Sequence, residues 1–115
     1  MNFQSESEAS AAIPLACDMS VFDDAQRQQH IQLVHQLFDS RLAVEELADG
    51  FTWQFADQPE VYEQIAQFIS GEHRCCPFFH FTLDVLPGRR PILKITGPAG
   101  VKEFVRAELL GWIAG

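Results

Sequence analysis

The apolar residues of the chain recur at two different spacings along its length. Near residues 21–38, 59–75 and 98–112 they recur every three or four positions, which predicts three amphipathic helices. In the regions 42–55 and 78–96 apolar and polar residues alternate, which is typical of half-buried strands. The pattern therefore predicts the order helix, hairpin, helix, hairpin, helix.

Turn residues inside the two alternating regions predict one hairpin in each. Asp49 and Gly50 divide the first region, and this pair is expected to supply the positive φ of a tight turn. The segment "LPGRRP" divides the second region in the same way. Strands joined by tight turns are antiparallel, so the predicted fold class is α+β. We expect a four-stranded antiparallel sheet from two hairpins, with three helices on one face, in the order α-β-β-α-β-β-α.

Capping residues predict where each helix begins. Ser20 and Asp23 form a capping-box-like pair, so the first helix is expected from about residue 21. Asp57 is the expected cap of the second helix, with Pro59 in its first turn. Pro98 suits the first position of the third helix.

Composition and charge narrow the domain organisation and the classes of partner. Apolar residues make up 47% of the chain and charged residues 21%, which predicts one folded domain over residues 11–115 behind a flexible tail, residues 1–10. Residues 11–18 are expected to form an edge strand or an extended lead-in. The formal net charge of −8 would repel a phosphate backbone, so no nucleic acid is expected as a partner. An apolar run of about 18 residues and a secretory-type N-terminal segment are both absent, so we expect no membrane partner and a cytoplasmic location.

The sheet face turned away from the helices is the predicted contact surface for a partner. Alternation places five residues on this open sheet face, namely Thr52, Gln54, His80, Thr82 and Lys94. A one-sided sheet either exposes such a face to solvent or covers it with a second copy. A homodimer through the open sheet face is therefore the assembly to test.

The segment "GEHRCCPFFH" carries the candidate chemistry. The chain has three cysteines, an odd number, which in a reducing compartment predicts thiols, metal ligands or buried small residues rather than a disulfide framework. Pro77 disfavours the helical conformation for Cys76, so the second helix is expected to end near Cys75. Glu72 would then lie one turn before both cysteines.

The helix end affects what these thiols can do. A helix C-terminus is the negative end of the helix dipole, so the dipole and Glu72 both favour the protonated thiol, while His73 and Arg74 act in the opposite direction. This placement is unfavourable for a redox nucleophile. It is less unfavourable for a metal site, because a bound ion can displace the thiol proton.

Adjacent cysteines lack the C-x-x-C spacing of structural zinc sites and suit soft ions such as Cu(I), Hg(II) or As(III), with Zn as a further candidate. Cys17 becomes a third sulfur ligand if the segment "PLAC" folds beside the end of the second helix. Histidine ligands are less convincing, because His73 lies two positions from Cys75 on a helix and points to a different side. The candidate metal ligands are Cys75, Cys76, Cys17, Glu72 and His73.

Three functional hypotheses follow from these residues. The leading one is a small protein that binds a soft metal ion or metalloid through the vicinal cysteine pair. The second is a non-enzymatic dimerisation or interaction module in which the cysteines are buried and inert, since cysteine is among the most often buried residue types. The third is a thiol oxidoreductase that uses a reversible bond between Cys75 and Cys76. The sequence favours a protein that is not an enzyme.

The runs "GEHRCCPFFHFTLDV" and "LKITGPAGVKEFVRAEL" resemble a family of small bacterial proteins of uncharacterised function. Its members pair an E-x-x-C-C-P-F segment with a later T-G-P-x-G-x-K segment, and the resemblance covers roughly residues 15–110. It implies a shared fold and associates the chain with heavy-metal resistance neighbourhoods. The matching positions are Cys17, Glu72, Cys75, Cys76, Pro77, Phe78, Thr96, Gly97, Pro98 and Gly100.

Overall fold

Three helices and a four-stranded antiparallel sheet make up the fold, in the predicted order α-β-β-α-β-β-α. The structure is a computed structural model that describes residues 17–113, with side chains for residues 17–108. The expected tail and residues 11–16 of the lead-in lie outside this described part. After a 3-10 turn (Met19–Val21), the elements are α1 (Asp24–Asp39), β1 (Ala43–Leu47), β2 (Gly50–Gln54), α2 (Pro59–Cys75), β3 (His80–Asp84), β4 (Ile92–Thr96) and α3 (Val101–Ile113). The α+β prediction is confirmed.

The sheet order is β1-β2-β4-β3, with all neighbouring strands antiparallel. Each predicted hairpin forms, and the two hairpins join through the long-range pair β2 and β4. In that pair Phe51 lies opposite Ile95 and Trp53 lies opposite Leu93. This register sets the apolar residues of both hairpins on one sheet face.

That apolar face packs against α1 and α2 through aromatic rings. Phe38 of α1 meets Trp53 edge to face, with ring centroids 5.1 Å apart. Phe68 of α2 meets Phe81 of β3 in the same way at 6.0 Å. Phe38 and Phe68 also contact each other at 5.0 Å, so the two helices and the sheet share one aromatic core.

The third helix covers the same face at the β1–β2 side. The guanidinium of Arg106 lies 5.3 Å from the centroid of the Phe51 ring. Arg106 also donates a hydrogen bond of 2.7 Å to Glu46 of β1, which pairs with Lys102 as well. All three helices therefore lie on one face of the sheet, as predicted.

The helix starts differ from the sequence prediction. α1 begins three residues later than expected, because Asp23 and Gln26 form the capping box while Ser20 belongs to the preceding 3-10 turn. The N-cap of α2 is Gln58, which makes no side-chain cap, and Pro59 takes the first helical position. Short polar side chains compete for several local partners, and the sequence pattern alone does not decide among them.

Two further local expectations are corrected. Asp57 does not cap α2, and it accepts a hydrogen bond of 2.7 Å from the hydroxyl of Tyr62. Pro98 lies in the turn before α3, which begins at Val101. Asp57 and Pro98 thus both lie just before their helices, and α2 and α3 each begin a few residues farther along the chain.

Gly50 is required by close packing and not by a left-handed backbone. Within residues 17–113, positive φ occurs at Gly88 and Gly100 only, so the positive φ expected of Asp49 and Gly50 is wrong. A Cβ at Gly50 would lie 1.9 Å from the carbonyl oxygen of Ile95 on β4. The glycine therefore lets β2 approach β4 at the start of their pairing.

The opposite face of the sheet carries polar residues in register. Thr52, Lys94 and Thr82 lie side by side across β2, β4 and β3, and each is half-buried. Gln54 lies on the same face, and His80 is exposed at its end. Among residues 17–113, none of the helices combines the length and the apolar character that a membrane span requires.

Candidate metal centre

The end of α2 brings the two adjacent cysteines together. The helix ends at Cys75, and Cys76 takes φ −127° and ψ 73°, outside the helical region, directly before Pro77. The predicted helix stop is confirmed. Successive side chains on a continuous helix point about 100° apart. The bend at Cys76 reduces this divergence, and the two Sγ atoms lie 3.6 Å apart.

Cys17 reaches the same place through a backbone contact. The N–H of Asp18 donates a hydrogen bond of 2.7 Å to the carbonyl oxygen of Cys75, one of the carbonyls that a helix end leaves without an internal partner. This contact sets the Cα atoms of Cys17 and Cys76 4.6 Å apart, within the range of a disulfide. Their sulfurs lie at bonding distance and form a disulfide.

The disulfide changes the expected state of the thiols. The sequence predicted thiols, metal ligands or buried small residues rather than a disulfide framework and, for the redox hypothesis, a bond between Cys75 and Cys76. In the structure Cys76 is bonded to Cys17, and Cys75 is the free cysteine. A bond between neighbouring residues needs a strained ring, whereas Cys17 meets Cys76 without one because it comes from a distant segment.

Glu72 lies beside the sulfurs, one turn back along α2. Its Oε2 is 4.0 Å from Sγ of Cys75. The side-chain ligand atoms of Cys17, Glu72, Cys75 and Cys76 all lie within 4.8 Å of one another, which defines the cysteine cluster. The structure thus brings together four of the five candidate ligands.

Burial controls the chemistry of the cysteine cluster. Cys75 and Cys76 are 0% exposed, whereas Cys17 is half-buried. Burial, and then the carboxylate of Glu72, raises the pKa of the Cys75 thiol from its ordinary value of 9.0 to about 12. The raised pKa keeps the free Cys75 thiol protonated at neutral pH, and burial is its largest cause, whereas the sequence pointed to the helix dipole and Glu72.

The two histidines of the segment lie apart from the sulfurs. His73 is exposed on α2 and is not among the residues of the cysteine cluster. His80 is exposed at the start of β3, on the open sheet face. Helix and strand geometry thus separate both rings from the sulfurs, for the reason that the sequence suggested.

His30 is a residue of this site that sequence reasoning missed. Its Nε2 lies 2.6 Å from Oε2 of Glu72, and the side chain is only 7% exposed. Its ring stacks between Phe22, at 5.1 Å, and Phe68, at 6.3 Å. The local pattern of α1 gives no sign of this role, because Glu72 comes from 42 residues away in the sequence.

Gly71 was the available sequence signal for the buried histidine. A glycine inside a helix lowers helix stability by about 1 kcal/mol relative to alanine, so an interior glycine suggests a packing requirement. Here a Cβ at Gly71 would lie 2.5 Å from Nδ1 and 2.6 Å from Cε1 of His30. The glycine makes room for the imidazole, and the imidazole holds Glu72 beside Cys75.

Comparison with known proteins finds no matching family model, no matching curated protein and no matching solved structure. The resemblance to small bacterial proteins with the E-x-x-C-C-P-F segment therefore stays a prediction.

Proposed function

We propose that the reduced protein binds a soft metal ion or metalloid through Cys17, Cys75 and Cys76, with Glu72 beside the sulfurs. The observation that carries this proposal is the convergence of four ligand atoms within 4.8 Å of one another. The residues come from two segments that are far apart in sequence. A fold that only needed small apolar residues at this corner does not require three sulfurs in mutual contact.

The distances suit sulfur ligands around one ion. Metal–sulfur bonds of about 2.3 Å place two sulfur ligands about 3.7–4.0 Å apart. Cys75 and Cys76 already lie close to this spacing, at 3.6 Å. After reduction, Cys17 and Cys76 need to separate from bonding distance by about 2 Å, which a change of side-chain torsion can provide.

The donor set favours soft ions. Three thiolates suit Hg(II), Cu(I) or As(III), which accept few sulfur ligands. Zn(II) is the weaker candidate, because it prefers four ligands and would need the Glu72 carboxylate in the fourth position. The hydrogen bond from His30 occupies Oε2 of Glu72, so this oxygen is already engaged. We therefore place Glu72 as an outer partner of the sulfurs and expect no enzymatic activity.

Titration of the fully reduced protein tests the proposal. Hg(II), As(III), Cu(I) and Zn(II) are added in turn under anaerobic conditions, and binding is followed by calorimetry and sulfur–metal absorbance. We expect one tight site per chain for at least one of the soft ions, and at least a hundredfold weaker binding by C75S/C76S. His73→Ala is the matched control, because it removes an exposed candidate ligand of the same helix end and should leave affinity unchanged. Equal weak binding by the wild type and C75S/C76S would refute the proposal.

A further inference from the structure

We propose that the Cys17–Cys76 disulfide is a redox gate on the cysteine cluster, and that a low-molecular-weight thiol opens it by attacking Cys17. The gating part rests on the proposed function, because it concerns the same three sulfurs. The part that assigns Cys17 as the site of attack does not, because it depends only on access to the disulfide.

The disulfide can close the proposed metal site because both use the same sulfur atoms. The disulfide engages Cys17 and Cys76, which are two of the three sulfurs of the proposed centre. In the oxidised protein only the Cys75 thiol remains, and it is buried. One thiol offers a soft ion a single sulfur ligand, whereas the reduced cluster offers three, so the bonded form is the closed form of the site.

Access decides which sulfur is attacked. Thiol–disulfide exchange needs the attacking thiolate to reach a sulfur atom, and both the choice of sulfur and the rate depend on that approach. Cys76 is 0% exposed, and Cys75 on its other side is also 0% exposed, whereas Cys17 is half-buried. Cys17 is therefore the more exposed residue of the bonded pair, and the attack is assigned to its sulfur, with Cys76 as the leaving group.

The opening reaction takes two exchange steps. A solution thiolate, RS⁻, attacks Sγ of Cys17, a new RS–S bond forms, and the bond to Cys76 breaks, so Cys76 leaves as a thiolate that takes up a proton. A second RS⁻ attacks the sulfur of the R group, which releases R–S–S–R and the Cys17 thiolate. Two molecules of RSH are oxidised, and one protein disulfide is reduced to two thiols. The reverse reaction with R–S–S–R closes the gate.

The mixed disulfide at Cys17 is a modification site in its own right. Asp18 keeps the backbone next to Cys17 against the end of α2, and in the mixed disulfide the sulfur of Cys17 is bonded to the R group and does not ligate an ion. The cluster then lacks one sulfur. The proposed centre is therefore closed in both the disulfide and the modified state.

Mapping of glutathione adducts tests the site of attack without any metal. C76S and C17S each keep one member of the bonded pair, and each is treated with glutathione disulfide, quenched with acid and analysed by peptide mass spectrometry. We expect the adduct at Cys17 in C76S to form at least tenfold faster than the adduct at Cys76 in C17S. The difference should disappear in urea, where burial is lost. Circular dichroism shows whether both variants are folded.

Two results would overturn the proposal. Equal adduct rates at Cys17 and Cys76 in the folded variants would remove the assignment of Cys17. Binding of Hg(II) by the oxidised wild type as tightly as by the reduced wild type would remove the gate. If the reduced protein binds no soft ion at all, the proposed function fails, and the adduct experiment still decides the site of attack. The variant C75S separates the site of attack from metal binding further. It keeps the Cys17–Cys76 disulfide and its exchange chemistry but lacks the three-sulfur site.

Discussion

Replacement of Gly71 by alanine should destabilise the protein, although alanine is the better helix former. Gly71 lies inside α2, and its Cα faces the imidazole of His30. An alanine Cβ would lie 2.5 Å from Nδ1, far inside van der Waals contact. A flexible side chain on the surface would move away. His30 does not, because Phe22 and Phe68 enclose its ring and Glu72 holds Nε2.

The opposing effects can be compared in magnitude. The gain in helix propensity from glycine to alanine is about 1 kcal/mol. Overpacking of a buried site reduces stability by about 1–3 kcal/mol. Displacement of the ring also breaks the bond to Glu72, and leaving such a buried partner unpaired adds about 1–3 kcal/mol. We therefore expect G71A to lower the free energy of unfolding by about 1–5 kcal/mol, after the favourable propensity is subtracted.

Urea unfolding of a double-mutant cycle measures this contact. In an H30A background the space beside Gly71 is empty, so G71A should raise the free energy of unfolding by about 1 kcal/mol. The sign of the effect thus reverses between the two backgrounds. S70A is the matched control, because Ser70 is an exposed neighbour on α2 and its replacement should change stability by no more than about 0.5 kcal/mol in either background. Stabilisation by G71A in the wild-type background, equal to that in H30A, would refute the reasoning.

Two further predictions concern the free thiol and the open sheet face. In the oxidised protein Cys75 is the free cysteine, so the ultraviolet absorbance of its thiolate should appear only as the pH rises from 9 towards about 12. Glu72→Gln should shift that appearance to lower pH, because the carboxylate raises the pKa; a transition near the ordinary value of 9.0 in the wild type would contradict the burial argument. For the open sheet face, we expect a homodimer by sedimentation velocity, and the double variant T52K/T82K should dissociate it, since it places like charges beside Lys94. A wild type that remains monomeric at all concentrations would exclude the homodimer.

The raised pKa of Cys75 makes the free energy of unfolding depend on pH, and linkage between protonation and folding gives the direction of this dependence. Its pKa is raised in the folded state, so the unfolded chain loses this proton first as the pH increases. Any contribution of the buried thiol to stability is therefore complete below pH 9 and is lost as the pH rises from 9.0 to about 12.

The sequence by itself determined the elements whose causes are local. The alternation of apolar and polar residues predicted both hairpins, and the helical spacing predicted the three helices, in the order that the structure has. Pro77 ended α2 because proline acts on the residue directly before it, which is Cys76. The same local geometry separated His73 from the sulfurs.

Only the tertiary structure decided the contacts between distant segments. The disulfide joins Cys17 to Cys76 across 59 residues. The backbone hydrogen bond from Asp18 to Cys75 brings the two segments together, and no local pattern encodes it. Gly50 and Gly71 are needed for what approaches them, a strand carbonyl in one case and the His30 ring in the other. The physical reason is that spacing along the chain reports the face on which a side chain lies, whereas the partner on that face depends on how the elements pack. The sequence therefore identified the vicinal thiols, and the packing supplied the third sulfur and the His30–Glu72 pair beside them.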